Sequence, residues 1–189
     1  MDGDGSGGPA PGPPDRGRGA GAGTGDGDPL DAAQVSRVRA VLALGGVPHA
    51  DLGDGVQQIR LRLLERRARG QEPPQDVGAW SAVVASRLAV DWHRARSRME
   101  RLGARLTGMR AWPVTSDGGP EERLLALAVA DGLDTLPDLQ RQVLVLRFYA
   151  DLTVPRIARE LGVPEGTVKS RLHAAAKAMR ERLRVDEVV

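Results

Sequence analysis

The apolar positions of this chain follow a helical period over most of its length. They form no run of strict alternation of the kind a half-buried strand requires. Val35, Val38, Val41 and Leu42 share one side of a segment that Asp31 can cap and that Gly45-Gly46-Val47-Pro48 ends, which predicts a helix to about Leu44. Leu52, Val56, Ile59 and Leu63 recur at the same spacing, in a second helix from near Asp51 to near Gly70. After a loop containing Pro73-Pro74, the residues Trp80, Val83, Val84 and Leu88 make the buried stripe of a third helix, from about Ala79 to about Leu106. Four more helices are expected at about 121–134, 138–150, 154–161 and 165–184. The first of these opens on Pro120-Glu121-Glu122, a proline in the first turn followed by acids at the positive end of the helix dipole.

Two stretches lack this pattern. Residues 1–29 hold eleven glycines and almost nothing apolar. Such a segment buries too little surface to offset its ordering entropy, so a disordered tail is expected, either dispensable or regulatory. Residues 107–120 contain Gly108, Pro113, Gly118, Gly119 and Pro120 and read as a flexible linker. The expected fold is therefore all-α: two small helical domains, 30–106 and 121–189, joined by a linker over 107–120 and preceded by a tail over 1–29.

Composition narrows the function classes. The chain has no cysteine, which excludes disulfides and thiolate metal sites. No signal peptide is evident, and the longest apolar run, Leu124 to Ala130, is far too short to cross a bilayer. A cytoplasmic protein without membrane insertion is expected. The net charge of +2 is unevenly placed: residues 1–30 carry −3, residues 87–110 carry +5 and residues 165–184 carry +4. Two basic segments in a near-neutral chain suggest two anion-binding faces.

The second basic segment coincides with a motif. Thr153 can cap a short helix that tolerates Pro155 in its first turn. Ile157, Ala158 and Leu161 would face inward, Gly162 suits a left-handed turn, and Val163 plugs the corner. Val168 and Leu172 then face inward from the next helix. The series Ile-Ala-x-x-Leu-Gly-Val-x-x-x-Thr-Val is a helix-turn-helix signature. It leaves Glu165, Thr167, Lys169, Ser170, Arg171, His173 and Lys177 as candidates for DNA reading in the major groove.

The words around the motif resemble region four of the extracytoplasmic-function sigma factors of bacterial RNA polymerase, in the sigma-70 superfamily. The resemblance rests on Leu136-Pro137, Gln140-Arg141-Gln142-Val143, Leu146-Arg147, Ile157-Ala158, Leu161-Gly162-Val163 and Gly166 to Leu172. It implies recognition of the minus-thirty-five promoter element by the helix that begins at Glu165. A second resemblance lies upstream. Asp51 to Leu61 is similar to the family's region-two helix, which implies polymerase docking through Asp51, Asp54, Gln57 and Gln58. Ala79 to Arg94 is similar to the promoter-melting helix, which implies minus-ten contacts from Arg87, Asp91, Trp92, Arg94 and Arg98. Core RNA polymerase and promoter DNA are the implied partners, with room for an anti-sigma factor.

The chain departs from the family pattern at a few positions. Gly55 stands where a Leu is usual, inside a helix, at a propensity cost of about 1 kcal/mol relative to Ala. Gln58 replaces a Glu, and Arg87 replaces an Asn. Pro155 and Arg156 stand where a flexible residue and an acid are usual.

Independently of any family, Arg87, Asp91, Arg94, Arg98, Arg101 and Arg105 fall at alternating spacings of four and three and form one stripe on a helix. Asp91 could hold Arg87 and Arg94 by short-range pairs, and the stripe suits phosphate binding. Trp80 is expected in the core, whereas Trp92 could stack on a base or merely pack. His49, Asp51 and Asp54 could be imagined as a metal site, but a cap and dipole-favoured acids explain them more simply. No cofactor, metal or enzymatic activity is expected. The alternatives are a stand-alone helix-turn-helix regulator and a degenerate sigma-like protein that binds its partners without opening promoters.

Overall fold

The computed structural model describes residues 28–101 and 119–186, with side chains described to Met99 in the first stretch and to Leu183 in the second. Most of the predicted tail and linker lie outside the described residues, as does the third helix beyond Arg101. Within them the chain is helical, with no strand: α1 (Ala32–Leu44), α2 (Leu52–Ala68), α3 (Val77–Arg101), α4 (Pro120–Thr135), α5 (Asp138–Phe148), α6 (Val154–Leu161) and α7 (Glu165–Asp186). A 3-10 turn, His49–Asp51, leads into α2.

Local chemistry sets the boundaries. Asp31 and Gln34 form a capping box at the start of α1: the Gln34 amide donates to Asp31 Oδ1 at 2.7 Å, and the Asp31 amide donates to Gln34 Oε1 at 3.0 Å. Pro120 occupies the first turn of α4, and Glu121 and Glu122 follow it. Asp76 accepts from the Ala79 amide at 2.8 Å and so satisfies an orphan donor at the start of α3. Asp28, inside the segment expected to be disordered, binds the guanidinium of Arg60, and Leu30 beside it is fully buried.

In the first half, Val38, Val41 and Leu42 of α1 meet Leu52, Val56, Ile59 and Leu63 of α2 and Val83 and Val84 of α3. Val35, Trp80 and Leu88 pack on this core from its margin. Gly55 has a steric reason for its place: a Cβ there would lie 2.5 Å from Leu42 Cδ1, so the glycine lets α1 and α2 approach closely. In the second half, Val143, Leu146, Ile157, Ala158 and Val168 join α5, α6 and α7. Leu133 and Leu136 seat α4 against Ala175 of α7.

The two halves also touch. α5 lies against α3 and α1, α6 against α3, and the buried residues of both halves form one continuous apolar cluster. This contact was not part of the sequence expectation. Among the described residues four polar ones are buried, Ser81, Ser86, Arg141 and Gln142, and three of them take part in this contact.

Candidate nucleic-acid interface

The helix-turn-helix forms as its residue pattern requires. Thr153 Oγ1 accepts from the Arg156 amide at 3.4 Å, and Pro155 sits in the first turn of α6. Gly162 adopts φ 70° and ψ 35°, the left-handed conformation that a Cβ disfavours. The Val163 amide then donates back to the Ala158 carbonyl at 3.0 Å, and Val163 packs against the core at the corner. Pro164 supplies the first carbonyl of α7, accepting from the Thr167 and Val168 amides. Ile157 and Val168 are fully buried, and Leu161 and Leu172 flank them.

This packing turns the candidate reading residues outward. Glu165, Lys169, Ser170, His173 and Lys177 are exposed, and Thr167 and Arg171 are half-exposed. Lys169 is 3.8 Å from Glu165, and Lys177 is 3.9 Å from Glu181. These are exposed i, i+4 pairs, weak enough to be exchanged for a phosphate. Ser170 Oγ donates to the Thr167 carbonyl at 3.0 Å.

On α3, Arg87, Asp91, Arg94 and Arg98 are exposed together as the stripe predicts. The Arg101 side chain and all of Arg105 lie outside the described residues. Among the described residues Asp91 forms no ion pair with Arg87 or Arg94. Instead Arg87 donates to the Glu160 carbonyl of α6, and Asp91 lines a groove. Trp92 is half-buried against the core, edge-on to His93 with centroids 5.4 Å apart, and the Arg96 guanidinium lies 5.3 Å from its ring. Packing and a cation–π contact therefore occupy much of this ring.

The groove holds about 410 Å³ between α2 and α3. Leu42, Val47 and Leu88 line it, with Asp51, Asp54 and Asp91 as its acids. Gln58 and Trp92 also line the wall. The structure thus brings together three of the four candidate docking residues and two of the candidate minus-ten residues, while Gln57 is exposed outside the groove. A groove with an apolar floor and three carboxylates suits a cationic protein surface and repels phosphate. Among the described residues no cluster of three or more His, Asp or Glu could hold a metal ion, and no helix is long and apolar enough to cross a membrane.

Sequence reasoning missed the residues between the halves. Arg141 is 3% exposed and donates to the Asp134 carbonyl at 2.9 Å and to Leu136 at 3.3 Å within its own half. Across the contact it donates to the Gly45 carbonyl at 3.4 Å and lies 3.2 Å from His93 Nε2. Gly46, at φ 89°, admits this approach, because a Cβ there would lie 2.4 Å from both Arg141 Nη1 and His93 Nε2. Gln142 donates to Ser86 Oγ at 3.2 Å, and Arg156 pairs with Asp76 at 3.0 Å. The Ala79 amide, and with it Arg156 and Arg37, holds the Asp76 carboxyl below its ordinary pKa despite partial burial. Two of the departures noted in the sequence, Arg87 and Arg156, are therefore contacts between the halves.

Known proteins place this geometry. Residues 132–181 match the family model for sigma-70 region 4. The chain is 32% identical over 134 residues to the ECF RNA polymerase sigma factor SigL of Mycobacterium tuberculosis, covering 69% of this chain and 73% of that protein. It is 30% identical over 114 residues to the ECF RNA polymerase sigma factor SigW of Bacillus subtilis, covering 56% of this chain and 61% of the relative. The fold is shared with the sigma factor RpoE crystallised with the anti-sigma factor NepR from Bartonella quintana, at a TM-score of 0.65 and 20% identity, over 82% of this chain and 94% of the other. CnrH, solved with the cytosolic domain of CnrY, is similar at a TM-score of 0.59 and 20% identity, over 82% of this chain and 85% of the other. The paired helical halves, the helix-turn-helix and these relatives together show that the chain belongs to the extracytoplasmic-function sigma factors, which direct transcription initiation.

Proposed function

We propose that this chain docks on core RNA polymerase through the acidic groove and reads promoter DNA through α7 and the arginine stripe of α3. The observation that carries the reading is the separation of chemistry. Asp51, Asp54 and Gln58 line a carboxylate-rich groove, while Lys169, Arg171 and Lys177 project from the helix-turn-helix and Arg94 and Arg98 from the far part of α3. A protein-binding face and two cationic faces on one chain fit a factor that brings an enzyme to DNA without catalysis of its own. On this reading Glu165, Thr167, Lys169, Ser170, Arg171, His173 and Lys177 serve the minus-thirty-five element. Arg87, Arg94 and Arg98 serve the minus-ten region, and Asp91 and Trp92 belong to the groove as much as to DNA. The helical domains are 30–106 and 121–189, and the site of action is the cytoplasm. An anti-sigma factor is a further partner, a reading supported by the structural neighbour that was solved with the anti-sigma factor NepR.

The test is run-off transcription with core polymerase and promoters recovered by genomic pull-down. Transcripts that depend on the chain and on both promoter elements are expected. Stable assembly with core but no specific transcript would show a degenerate sigma. DNA binding without any assembly would show a stand-alone regulator.

A further inference from the structure

The reading helix begins with an acid. Among residues 165–177, Glu165 is the only acid, against Lys169, Arg171 and Lys177. Its side chain is exposed, and its carboxylate lies 3.8 Å from the Lys169 ammonium one turn further along α7. An acid in the first turn serves the helix itself, because it meets the positive end of the dipole. On DNA the same acid carries a cost. The first turn of a reading helix is the part that meets base edges in the major groove. A carboxylate there is repelled by the phosphates on both walls of the groove, so it lowers affinity for DNA of every sequence. Only a donor on a base edge offsets that repulsion. The major groove offers two such donors, cytosine N4–H2 and adenine N6–H2.

The neighbours of these two donors separate them. Beside adenine N6 lies N7, an acceptor that repels the second carboxylate oxygen, whereas beside cytosine N4 lies only a C–H edge. Across the pair, guanine presents O6 and N7 to an ammonium group, whereas thymine presents O4 with a methyl beside it. A carboxylate next to an ammonium on one helix face therefore matches the edge of a C·G pair, acceptor to donor and donor to acceptor. The reversed G·C pair sets like against like. The Glu165–Lys169 contact is exposed and weak, so both ends turn to a base pair at little loss. Gly166 leaves the way open: an added Cβ would meet nothing within 4 Å, so packing does not require the glycine, and its bare Cα lets the first turn approach a groove edge closely. The second pair of this kind, Lys177 with Glu181, begins about 18 Å further along α7 and lies beyond the first turn.

We infer that Glu165 and Lys169 act together as the specificity-determining pair for one C·G base pair of the minus-thirty-five element, Glu165 accepting from cytosine N4 and Lys169 donating to guanine. The inference rests on the proposed reading of DNA by α7, and it adds the identity and the orientation of one base pair.

The test is binding of holoenzyme, assembled from core polymerase and the full chain, to a promoter recovered by genomic pull-down and to every single-base-pair variant of its minus-thirty-five element. The unsubstituted chain should prefer C·G at one position by about tenfold over the other three pairs. Glu165→Ala should level that position to within about twofold and leave the other positions as they were. The same variant should bind DNA without a promoter more tightly, because a repelled carboxylate is gone. Glu165→Gln should move the preference at that position to A·T, since a carboxamide accepts from adenine N6 and donates to N7 at once. Lys169→Met should reduce discrimination at the same position without creating a preference for A·T. A Glu165 that serves only the helix start gives a different result: Glu165→Ala lowers the melting temperature and weakens binding to every sequence alike. That result overturns the inference, and so does a levelled position at which the unsubstituted chain prefers any pair other than C·G. If the base preferences persist but the Glu165 and Lys169 variants leave them unmoved, the pair fails while reading by α7 stands. If holoenzyme shows no base preference anywhere in the element, reading by α7 fails and the pair with it.

Discussion

Arg156 Nη1 lies 3.0 Å from Asp76 Oδ2, which joins the scaffold helix of the helix-turn-helix to the residue that starts α3. One carboxylate therefore serves two purposes, a helix cap through Oδ1 and a bridge between halves through Oδ2. An acid at position 156, usual in the family pattern, would have repelled Asp76.

The two purposes can be separated by substitution. Asp76→Ala removes both, and losing the cap alone costs about 1 kcal/mol. Asp76→Asn keeps an acceptor for the Ala79 amide and removes the charge. It should cost only about 0.5–1 kcal/mol at neutral pH, because both side chains of the bridge are partly exposed. The folded pKa of Asp76 is depressed, so its charged contribution is complete above the ordinary value of 3.8 and is lost as pH falls through the lower folded value. Thermal melts of the parent chain and Asp76→Asn should therefore converge as pH falls below 3.8, whereas Asp76→Ala stays the less stable.

Gly55 gives a prediction of opposite sign to helix propensity. Propensity alone favours Gly55→Ala by about 1 kcal/mol. The added Cβ would lie 2.5 Å from Leu42 Cδ1, and Leu42 is only 1% exposed and enclosed by the core. Overpacking of this kind costs about 1–3 kcal/mol. Gly55→Ala should thus lower the midpoint of urea unfolding, and Gly55→Leu should lower it further. A raised midpoint for Gly55→Ala would mean that α1 and α2 separate at little cost.

Docking on polymerase should follow the groove rather than α2 as a whole. Asp54 and Gln58 line it and Gln57 does not. Asp54→Arg should weaken core binding by about tenfold or more, which is about 1.4 kcal/mol. Gln58→Ala should weaken it more than Gln57→Ala, with melting temperatures unchanged because all three side chains are exposed. Titration of labelled chain with core measures this, and equal losses at Gln57 and Gln58 would place docking on the outer face of α2.

The helices were legible because their determinants are local. Asp31 with Gln34, Thr153 with Gly162, and the Leu52–Val56–Ile59–Leu63 stripe each specify a structure within a few residues. The helix-turn-helix was legible for the same reason. The contact between the halves was not, because its members look ordinary in sequence. Ser86 sits in a run of small residues, Arg141 and Gln142 read as family words, and Gln142 and Ser86 are 56 positions apart. One signal was available: Ser86 falls on the same helical face as the apolar positions Val83 and Val90, where a buried hydroxyl needs a partner. The minus-ten roles of Asp91 and Trp92 follow from the family resemblance and the helical stripe, neither of which shows that Asp51 of the 3-10 turn and Asp54 of α2 line the same groove as Asp91.

DNA reading on α7 should divide position from specificity. Arg171 is half-exposed near the start of the helix, beside the exposed Lys169 and Ser170, where a side chain can reach base edges or flanking phosphates. Lys177 is exposed nearly two turns further on, 3.9 Å from Glu181, and suits the backbone. If Arg171 contacts a guanine, Arg171→Ala should cost about 1–3 kcal/mol at one position of the minus-thirty-five element and relax preference there. Lys177→Ala should weaken all sequences alike and lower the salt slope by about one unit. Binding of holoenzyme to single-base promoter variants at several salt concentrations separates these outcomes. Uniform weakening by Arg171→Ala would make Arg171 a phosphate clamp. Base reading would then fall to Glu165, Thr167, Lys169 or Ser170. Among these, the Ser170 hydroxyl donates to the Thr167 carbonyl at 3.0 Å, an arrangement in which it accepts from a base donor.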